Sequence, residues 1–339
     1  TYTEQQNIKY KKKLNELLDI LPDFCTQYFD SLEFNKQPRT KVAYAMDIKG
    51  FFEFLIECIP KFSSYAMKDF KPQDLEKIDG TDITRYLRHV KLYKNGRDIT
   101  NSERAAKRKL CALRRFYEYY CRYEIISLNP TIKVDMPKIH EKAIIRMEPN
   151  EVAEFLDNVE SGNKLTKTQL QSHEKLKTRD LALLTLMLGT GIRVSECVGL
   201  DINDVDFDND RIRVIRKGGS ESFVYFGDEV REALLNYLEE RKNLTPDEGH
   251  ENALFISAKK KRLCVRSVEL LVKKYAQTVT TVKHITPHKL RSTYGTNLYQ
   301  ESQDIYLVAD VLGHKDVNTT RKHYAEIVEE NKRSARNIV

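Results

Sequence analysis

Cysteine, proline and glycine are sparse in this 339-residue sequence, and no apolar run reaches membrane-spanning length. The six cysteines form no C-x-x-C pair, so we expect small core residues in a reducing compartment rather than metal ligands. Nine prolines and thirteen glycines, without a low-complexity tract or repeat, favour folded domains throughout. The N-terminus has no secretory signal pattern. These absences predict a cytoplasmic protein without membrane contact.

The protein is mildly basic. The formal net charge is +7, although charged residues of both signs make up 32% of the chain. Such a surplus suits a polyanionic partner, but many soluble proteins that never bind nucleic acid are equally basic. The length exceeds that of one ordinary domain, so two domains with separate cores are expected.

The N-terminal third has the apolar spacing of a helical domain. Helices are predicted, from residues at helical steps and from Pro and Thr-Asp start signals, over 7–21, 40–59, 81–90 and 102–123. A polar, proline-containing stretch follows. We therefore predict a helical domain over 1–126 and a linker over 127–146.

The remainder, 147–339, mixes helices with one hairpin. A mostly buried helix is predicted near 180–200, broken at Gly189-Thr190-Gly191, and 161–177 is expected to be a polar excursion. Alternating residues on both sides of Gly218-Gly219 predict two strands joined by a turn. The other segments have helical spacing. The predicted fold class is mainly α with a small β component.

Two segments of this second part place cations where packing does not need them. Arg193 lies at the predicted helix restart with Glu196 three residues later, on the same helix face. Lys217 lies at the predicted hairpin tip. Alone, each has an ordinary explanation, since an i, i+3 Arg-Glu pair is usually a surface ion pair and a turn lysine is usually solvated.

Two later segments add imidazoles and a tyrosine. His288 and Arg291 are one helical turn apart, so both side chains can converge on one point. His314 follows Leu312-Gly313, and Tyr324 comes ten residues later. The histidines could instead be metal ligands, but no cysteine or acid lies at zinc-like spacing beside them. A lone tyrosine is more often a core or rim aromatic.

Taken in order, these residues resemble the tyrosine recombinases, the phage-type integrase family that includes Xer-like site-specific recombinases. That family has a G-x-R-x-x-E type arginine, a hairpin lysine, an H-x-x-R pair, an L-G-H motif and a C-terminal tyrosine. The six matching residues are Arg193, Lys217, His288, Arg291, His314 and Tyr324. Six ordered matches are far more specific than one. The resemblance implies a helical core-binding (SAM-like) domain and an α+β catalytic domain.

The resemblance also implies a mechanism. Tyr324 would attack a DNA phosphate and form a covalent 3′-phosphotyrosyl intermediate, so neither ATP, metal nor another cofactor is needed. Arg193 and Arg291 would clamp the non-bridging oxygens, with Glu196 holding Arg193. The interval from the L-G-H histidine to the tyrosine is one residue longer than is familiar in the family, which puts His323 at the usual nucleophile position.

Three further residues would move protons. Lys217 would protonate the leaving 5′-oxygen, His288 would accept the tyrosine proton, and His314 would donate to the phosphate. The implied partners are a double-stranded DNA recombination site and copies of the same chain, as a tetramer in the synaptic complex.

DNA contacts outside the active site are also suggested by the resemblance. In the first domain, Arg39, Thr40, Lys107 and Arg108 match places where the family's helices approach the duplex, and phosphate contact is expected. A second basic patch is formed by residues 259–262 together with Arg266 and Ser267. The ordinary alternative is a solvated basic helix face.

Two other functions use the same features. A type IB topoisomerase shares this chemistry but relaxes DNA, and the helical N-terminal domain argues against it. A DNA-binding module without catalysis would not need the six matched residues. Covalent attachment to a nicked suicide substrate would separate an enzyme from such a module.

Overall fold

The computed structural model describes residues 2–92, 103–139, 145–216, 219–313 and Val317. The chain divides into two compact units, Thr1–Glu141 and Lys142–Val339. Both units are dominated by helices, and one small sheet lies in the second. The predicted fold class, mainly α with a small β component, is confirmed.

The first unit is helical. Its α-helices are α1 (Tyr2–Ile20), α2 (Cys25–Ser31), α3 (Pro38–Cys58), α4 (Gly80–Leu92) and α5 (Glu103–Arg122). Helix α3 packs against α1 and α5. The core between them is aromatic: the rings of Phe52 and Phe116 meet edge to face with centroids 6.3 Å apart, and Tyr120 lies 5.0 Å from Phe116. Such edge-to-face contacts stabilise beyond area burial alone.

Two helix starts differ from the prediction. Helix α3 begins at Pro38 itself, because a proline in the first turn has a suitable φ and needs no helical N–H partner. For α4, the Asp79 carboxylate accepts hydrogen bonds from the Thr81 and Asp82 amides at 2.7 and 2.9 Å. The cap is therefore Asp79, not the Thr-Asp pair that the sequence suggested. The short helix α2 was not predicted.

The first part of the expected linker packs on this unit. A short 3₁₀ helix spans Pro130–Lys133, and both Thr131 and Val134 are buried. The Asn129 side chain caps this turn by accepting from the Thr131 amide at 3.0 Å. The Arg114 guanidinium on α5 donates to the Val134 carbonyl at 2.7 Å. Residues up to Val134 therefore belong to the core-forming part of the first unit.

The second unit is built around one buried helix. Its α-helices are α6 (Pro149–Ser161), α7 (Lys167–His173), α8 (Lys177–Thr190), α9 (Val194–Gly199), α10 (Asp228–Lys242), α11 (Val265–Val279), α12 (Pro287–Ser302) and α13 (Ile305–Val311). Helix α8 packs against α6, α10 and α12. Helix α7 lies in the segment expected to be irregular, where Thr166 and Gln169 form a capping box.

A three-stranded antiparallel sheet completes this unit. Its strands are β1 (Val205–Asp206), β2 (Arg211–Ile215) and β3 (Glu221–Tyr225), in that spatial order. Val214 pairs with Ser222, and Arg213 with Phe223. Alternate residues face the core and solvent, as the period of two predicts. Helix α9 packs on β2.

All six cysteines are free. Cys25 and Cys197 are buried core residues, as expected, whereas Cys58 and Cys264 are exposed. Across the described residues, no helix combines the length and apolar character that crossing a bilayer requires. Within the same part of the chain, no three His, Cys, Asp or Glu side chains are grouped so that they could hold a metal ion.

Candidate active site

The break between α8 and α9 depends on a glycine. Gly191 has φ +62°, and its amide donates to the Met187 carbonyl at 3.1 Å, which ends α8. A Cβ atom at this position would lie 2.4 Å from Cδ1 of Tyr294, a contact that real structures do not show. Both the left-handed conformation and the close ring therefore require glycine. Helix α8 ends here, and Arg193 follows as the N-cap residue of α9.

Arg193 and Glu196 hold each other in two ways. The Arg193 amide donates to Oε2 of Glu196 at 2.8 Å, and its Nη1 donates to Oε1 at 2.8 Å. The Glu196 side chain is only 4% exposed, whereas that of Arg193 is 34% exposed. The carboxylate thus caps α9 and orients a guanidinium that still reaches solvent.

Arg291 lies on the buried face of α12. Its Nη1 donates to the Gly191 carbonyl at 2.6 Å, and its Nη2 donates to the Leu312 carbonyl. The residue is 5% exposed. His288, one turn earlier on the same helix, is exposed at the surface. Arg291 therefore ties the α8–α9 break to the end of α13, while His288 lies at the accessible start of α12.

The end of α13 meets these arginines. Helix α13 is held on α12 by an apolar cluster of Tyr299, Val308 and Leu312. Gly313 has φ +60°, and its carbonyl accepts from Nη2 of Arg193 at 3.3 Å. The last carbonyls of a helix carry partial negative charge, so they attract cations. The turn that precedes His314 is consequently fixed against the arginines.

Arg216, directly after β2, is a site residue that the sequence reasoning missed. Its guanidinium lies 3.4 Å from Oε2 of Glu196 and donates to the Val311 carbonyl at 3.2 Å. The side chain is only 10% exposed. No signal in the sequence distinguishes it, because an arginine beside a Lys-Gly-Gly turn is normally solvated.

Three guanidiniums and one carboxylate from three separate segments thus lie around the turn that ends α13. Arg193, Arg216 and Arg291 carry three positive charges, and Glu196 carries one negative charge. The surplus of two charges lies partly out of water, where it attracts an anion more strongly than a surface cluster would. Planar guanidiniums bind phosphate oxygens through paired N–H groups. The arrangement is suited to a phosphodiester.

Three residues of the expected site lie outside the described residues: Lys217, His314 and Tyr324. His323, the neighbour of the expected nucleophile, does as well. By chain position, Lys217 directly follows Arg216 and His314 directly follows Gly313.

The expected DNA-contacting residues of the first unit occupy different environments. Arg39 is exposed and Thr40 half-buried, both in the first turn of α3. Lys107 is half-buried on α5. Arg108 is half exposed, but its guanidinium is paired with Asp47, whose side chain is 2% exposed. Arg108 therefore neutralises a buried carboxylate, which restricts its freedom to follow a DNA backbone.

The second expected patch lies at the start of α11. Arg266 is exposed and pairs with Glu269 at 2.9 Å. The Ser267 hydroxyl lies 3.3 Å from Sγ of Cys264, and this hydrogen bond lowers the pKa of the Cys264 thiol. Arg262, by contrast, is packed inward and donates to the carbonyls of Val198 and Leu200. That arginine has a structural role.

Comparison with known proteins identifies the family. Residues 146–331 match the Phage integrase family, and residues 25–123 match the Phage integrase N-terminal SAM-like domain. The chain is 32% identical to tyrosine recombinase XerC of Caldanaerobacter subterraneus subsp. tengcongensis over 310 residues, covering 89% of this chain and 81% of the relative. It is 31% identical to tyrosine recombinase XerS of Streptococcus agalactiae over 350 residues, covering 96% and 97%.

Solved structures share the fold. A XerH site-specific recombinase bound to palindromic difH substrate, in a post-cleavage complex, matches with a TM-score of 0.66 at 20% identity, covering 89% of this chain and 80% of that one. A lambda integrase (75–356) dimer bound to a COC′ core site matches with a TM-score of 0.63 at 16% identity, covering 89% and 94%. The chain therefore belongs to the phage integrase family and is a tyrosine recombinase, an enzyme that cleaves and rejoins DNA strands.

Proposed function

We propose that this recombinase exchanges strands at a double-stranded DNA site, with Tyr324 as nucleophile and with Arg193 and Arg291 as the residues that hold the scissile phosphate. The observation that carries the proposal is that Arg193 and Arg216 both bind Glu196, while Arg216 and Arg291 both reach the Leu312 carbonyl. In the chain, Lys217 directly follows Arg216, and His314 lies two residues after Leu312. A phosphate is the DNA group that such a cluster recognises.

The reaction begins with attack by the Tyr324 oxygen on phosphorus. A new bond forms between this oxygen and phosphorus while the bond to the 5′-oxygen breaks, which leaves a 3′-phosphotyrosyl bond and a free 5′-hydroxyl. Negative charge grows on the two non-bridging oxygens, and fixed guanidiniums stabilise it without reorganisation. Reversal with a 5′-hydroxyl from another strand rejoins DNA and conserves the bond energy.

Protons are assigned to the remaining site residues. Lys217 protonates the leaving 5′-oxygen, His288 accepts the tyrosine proton, and His314 donates to the phosphate. The exposed position of His288, one turn before the buried Arg291, supports access to a bound strand. Glu196 keeps Arg193 in place through its two hydrogen bonds.

A nicked suicide substrate tests this function. When the nick releases the short strand carrying the 5′-hydroxyl, rejoining is impossible, so we expect a covalent protein–DNA adduct on a denaturing gel. Adduct formation should be unchanged by EDTA, because the arginines and Lys217 supply the positive charge that a metal nuclease takes from its cation. Absence of the adduct, or its loss upon chelation, would contradict the mechanism.

Strand exchange rather than relaxation is the second element of the proposal. The match of residues 25–123 to an N-terminal SAM-like domain of integrases supports recombination over a type IB topoisomerase activity. Two labelled duplexes carrying the site should give recombinant products.

We also propose that the protein acts in the cytoplasm. Residues outside the active site contact DNA phosphates in this proposal: Arg39, Thr40, Lys107, Arg266 and Ser267. Arg108, paired with Asp47, contributes less.

We further propose that four copies assemble on two duplexes and that the segment after Tyr324, residues 325–339 and here called the tail, docks on a neighbouring copy. The tail itself lies outside the described residues, and its apolar end, Ile338 and Val339, motivates the proposal. Helix α13 presents Tyr306 and Leu307, 71% and 41% exposed, a short distance before the tail in sequence. A head-to-tail exchange of such a segment closes into a ring.

Removal of residues 331–339 is expected to weaken tetramer assembly by at least about tenfold, which corresponds to about 1.4 kcal/mol, and to reduce recombination. Cleavage of a single suicide site should fall less, since its chemistry lies within one chain. Native gels with two labelled duplexes measure assembly, and denaturing gels measure cleavage. Unchanged synapsis by the shortened protein would refute tail docking.

A further inference from the structure

Arg216 makes more contacts with the active site than a hairpin residue requires. Its Nη1 lies 3.4 Å from Oε2 of Glu196 and 3.5 Å from the Leu312 carbonyl, and its Nη2 donates to the Val311 carbonyl at 3.2 Å. It therefore connects the end of β2 with both the carboxylate that holds Arg193 and the turn that ends α13.

Glu196 contacts both Arg193 and Arg216, and its burial explains why it needs the second of these cations. Glu196 is 4% exposed, and an isolated buried carboxylate is costly unless positive charge compensates it. Arg193 occupies Oε1 and remains 34% exposed, so a DNA phosphate that attracts Arg193 competes with Glu196 for its guanidinium. Arg216 leaves Glu196 with a partner during that competition, and the carboxylate keeps its place at the start of α9.

The turn at Gly313 is shaped around the same guanidinium. A Cβ atom on Gly313 would lie 2.8 Å from Cζ of Arg216, so the glycine allows the backbone to pass directly over the arginine. The backbone of Arg216 is also fixed, since its amide donates to the Ser220 carbonyl at 2.8 Å across the hairpin turn. Both ends of this side chain are therefore anchored.

One polar group of the Arg216 side chain is left unpaired. The Nε–H of Arg216 is buried and has no hydrogen-bond partner in the described part of the chain. An unpaired buried donor destabilises the folded state by about 1–3 kcal/mol. Residues with such a donor are typically kept where function requires them. The guanidinium is retained here for what its other two nitrogens hold.

We propose that Arg216 is a positioning residue for phosphate activation: through Glu196 and the carbonyls of Val311 and Leu312, it holds Arg193 and the turn before His314 in their reactive geometry. Arg216 does not itself touch the phosphate in this scheme. The inference rests on the proposed role of Arg193 as the residue that binds the scissile phosphate.

The test compares Arg216→Met and Arg216→Lys with Arg213→Met in the full-length protein. Arg213 lies three residues earlier, on β2, and its exposed side chain pairs with Asp204 and Glu221 on the outer face of the sheet. Single-turnover cleavage of the suicide substrate should fall on the order of 10²-fold for Arg216→Met, because small displacements of catalytic groups have effects of this size. Arg216→Lys should be intermediate, and Arg213→Met unchanged.

Three DNA substrates identify the step that is affected. On a methylphosphonate at the scissile position, one charged oxygen is replaced by methyl, so positioning of Arg193 matters less and the Arg216→Met defect should shrink to within about threefold. A 5′-bridging phosphorothiolate has a leaving group that needs no acid, and the defect should persist there. Affinity for ordinary DNA should stay within about threefold, since many phosphate contacts maintain it.

Each other outcome overturns the inference. If Arg216→Met regains cleavage only on the phosphorothiolate, Arg216 supports the proton donor Lys217 and not Arg193. If cleavage falls equally on all three substrates, Arg216 contributes only to folding. Wild-type cleavage by Arg216→Met would exclude any role. Arg193→Met, measured in parallel, separates the two proposals: if it cleaves normally, the role of Arg193 fails, whereas a defect in Arg193→Met beside an active Arg216→Met refutes only the positioning role.

Discussion

Replacing Tyr324 by phenylalanine is expected to abolish covalent attachment to DNA while affinity stays within a few-fold. In the proposed reaction the phenolic oxygen forms the bond to phosphorus, and phenylalanine lacks that oxygen. One hydroxyl contributes little to an interface dominated by phosphate contacts. Adduct formation on the suicide substrate measures the first effect, and a gel-shift titration at fixed salt concentration measures the second.

His323 provides the matched control for this substitution. It precedes Tyr324 and stands at the familiar nucleophile spacing after His314. A shift of one residue on a helix rotates a side chain by roughly 100°, so the two side chains would point in different directions. Because Tyr324 is the proposed nucleophile, His323→Phe should retain the adduct. If Tyr324→Phe still forms it, the nucleophile assignment is wrong, and mass spectrometry of the DNA-linked peptide would locate the residue that replaces it.

Arg291→Lys is expected to slow cleavage on the order of 10²- to 10³-fold, the effect typical of losing one donor that stabilises transition-state charge. Arg291 reaches the Gly191 and Leu312 carbonyls with two different nitrogens and is 5% exposed. A lysine keeps the charge but concentrates it on one ammonium, which cannot span both carbonyls and still present a fork to the phosphate. Single-turnover cleavage at saturating enzyme measures this loss directly.

Loss of stability must be separated from loss of catalysis in that experiment. Arg241 offers a matched control, because it is 4% exposed in the same unit and its guanidinium also binds two backbone carbonyls, those of Glu251 and Ala253. Arg241→Lys should destabilise the protein by a similar amount, about 1–3 kcal/mol for unsatisfied buried groups, yet cleave DNA normally. If both variants lose cleavage equally, Arg291 acts only on folding.

The helices and the hairpin were predictable because their signals are local. Apolar residues at helical steps lie within one segment, as in α3 and α8, and the alternation around Gly218-Gly219 lies within twenty residues. The starts of some helices were harder to predict. The cap of α4 depends on the Asp79 side chain, and α7 depends on the reciprocal bonds of Thr166 and Gln169, which apolar periodicity does not report.

Among the expected site residues, the structure brings together Arg193, Glu196 and Arg291. Arg193 and Glu196 are close in sequence, so their pairing could be anticipated from helical spacing. The link from Arg291 to Leu312 joins residues 21 positions apart, on two different helices. The sequence order of the motifs suggested the family, but only α12 and α13 packing brings that carbonyl to the guanidinium.

The amino-acid sequence by itself therefore determined the fold class, the family and the identity of the chemical groups, because these depend on local periodicity and on ordered motifs. Tertiary structure alone decided which basic residues are available. Arg108 is engaged by the buried Asp47, 61 residues away, and Arg216 is drawn into the active site by Glu196 and the end of α13. The physical reason is that burial of a charge, and the partner that compensates it, are fixed by segments distant in the chain.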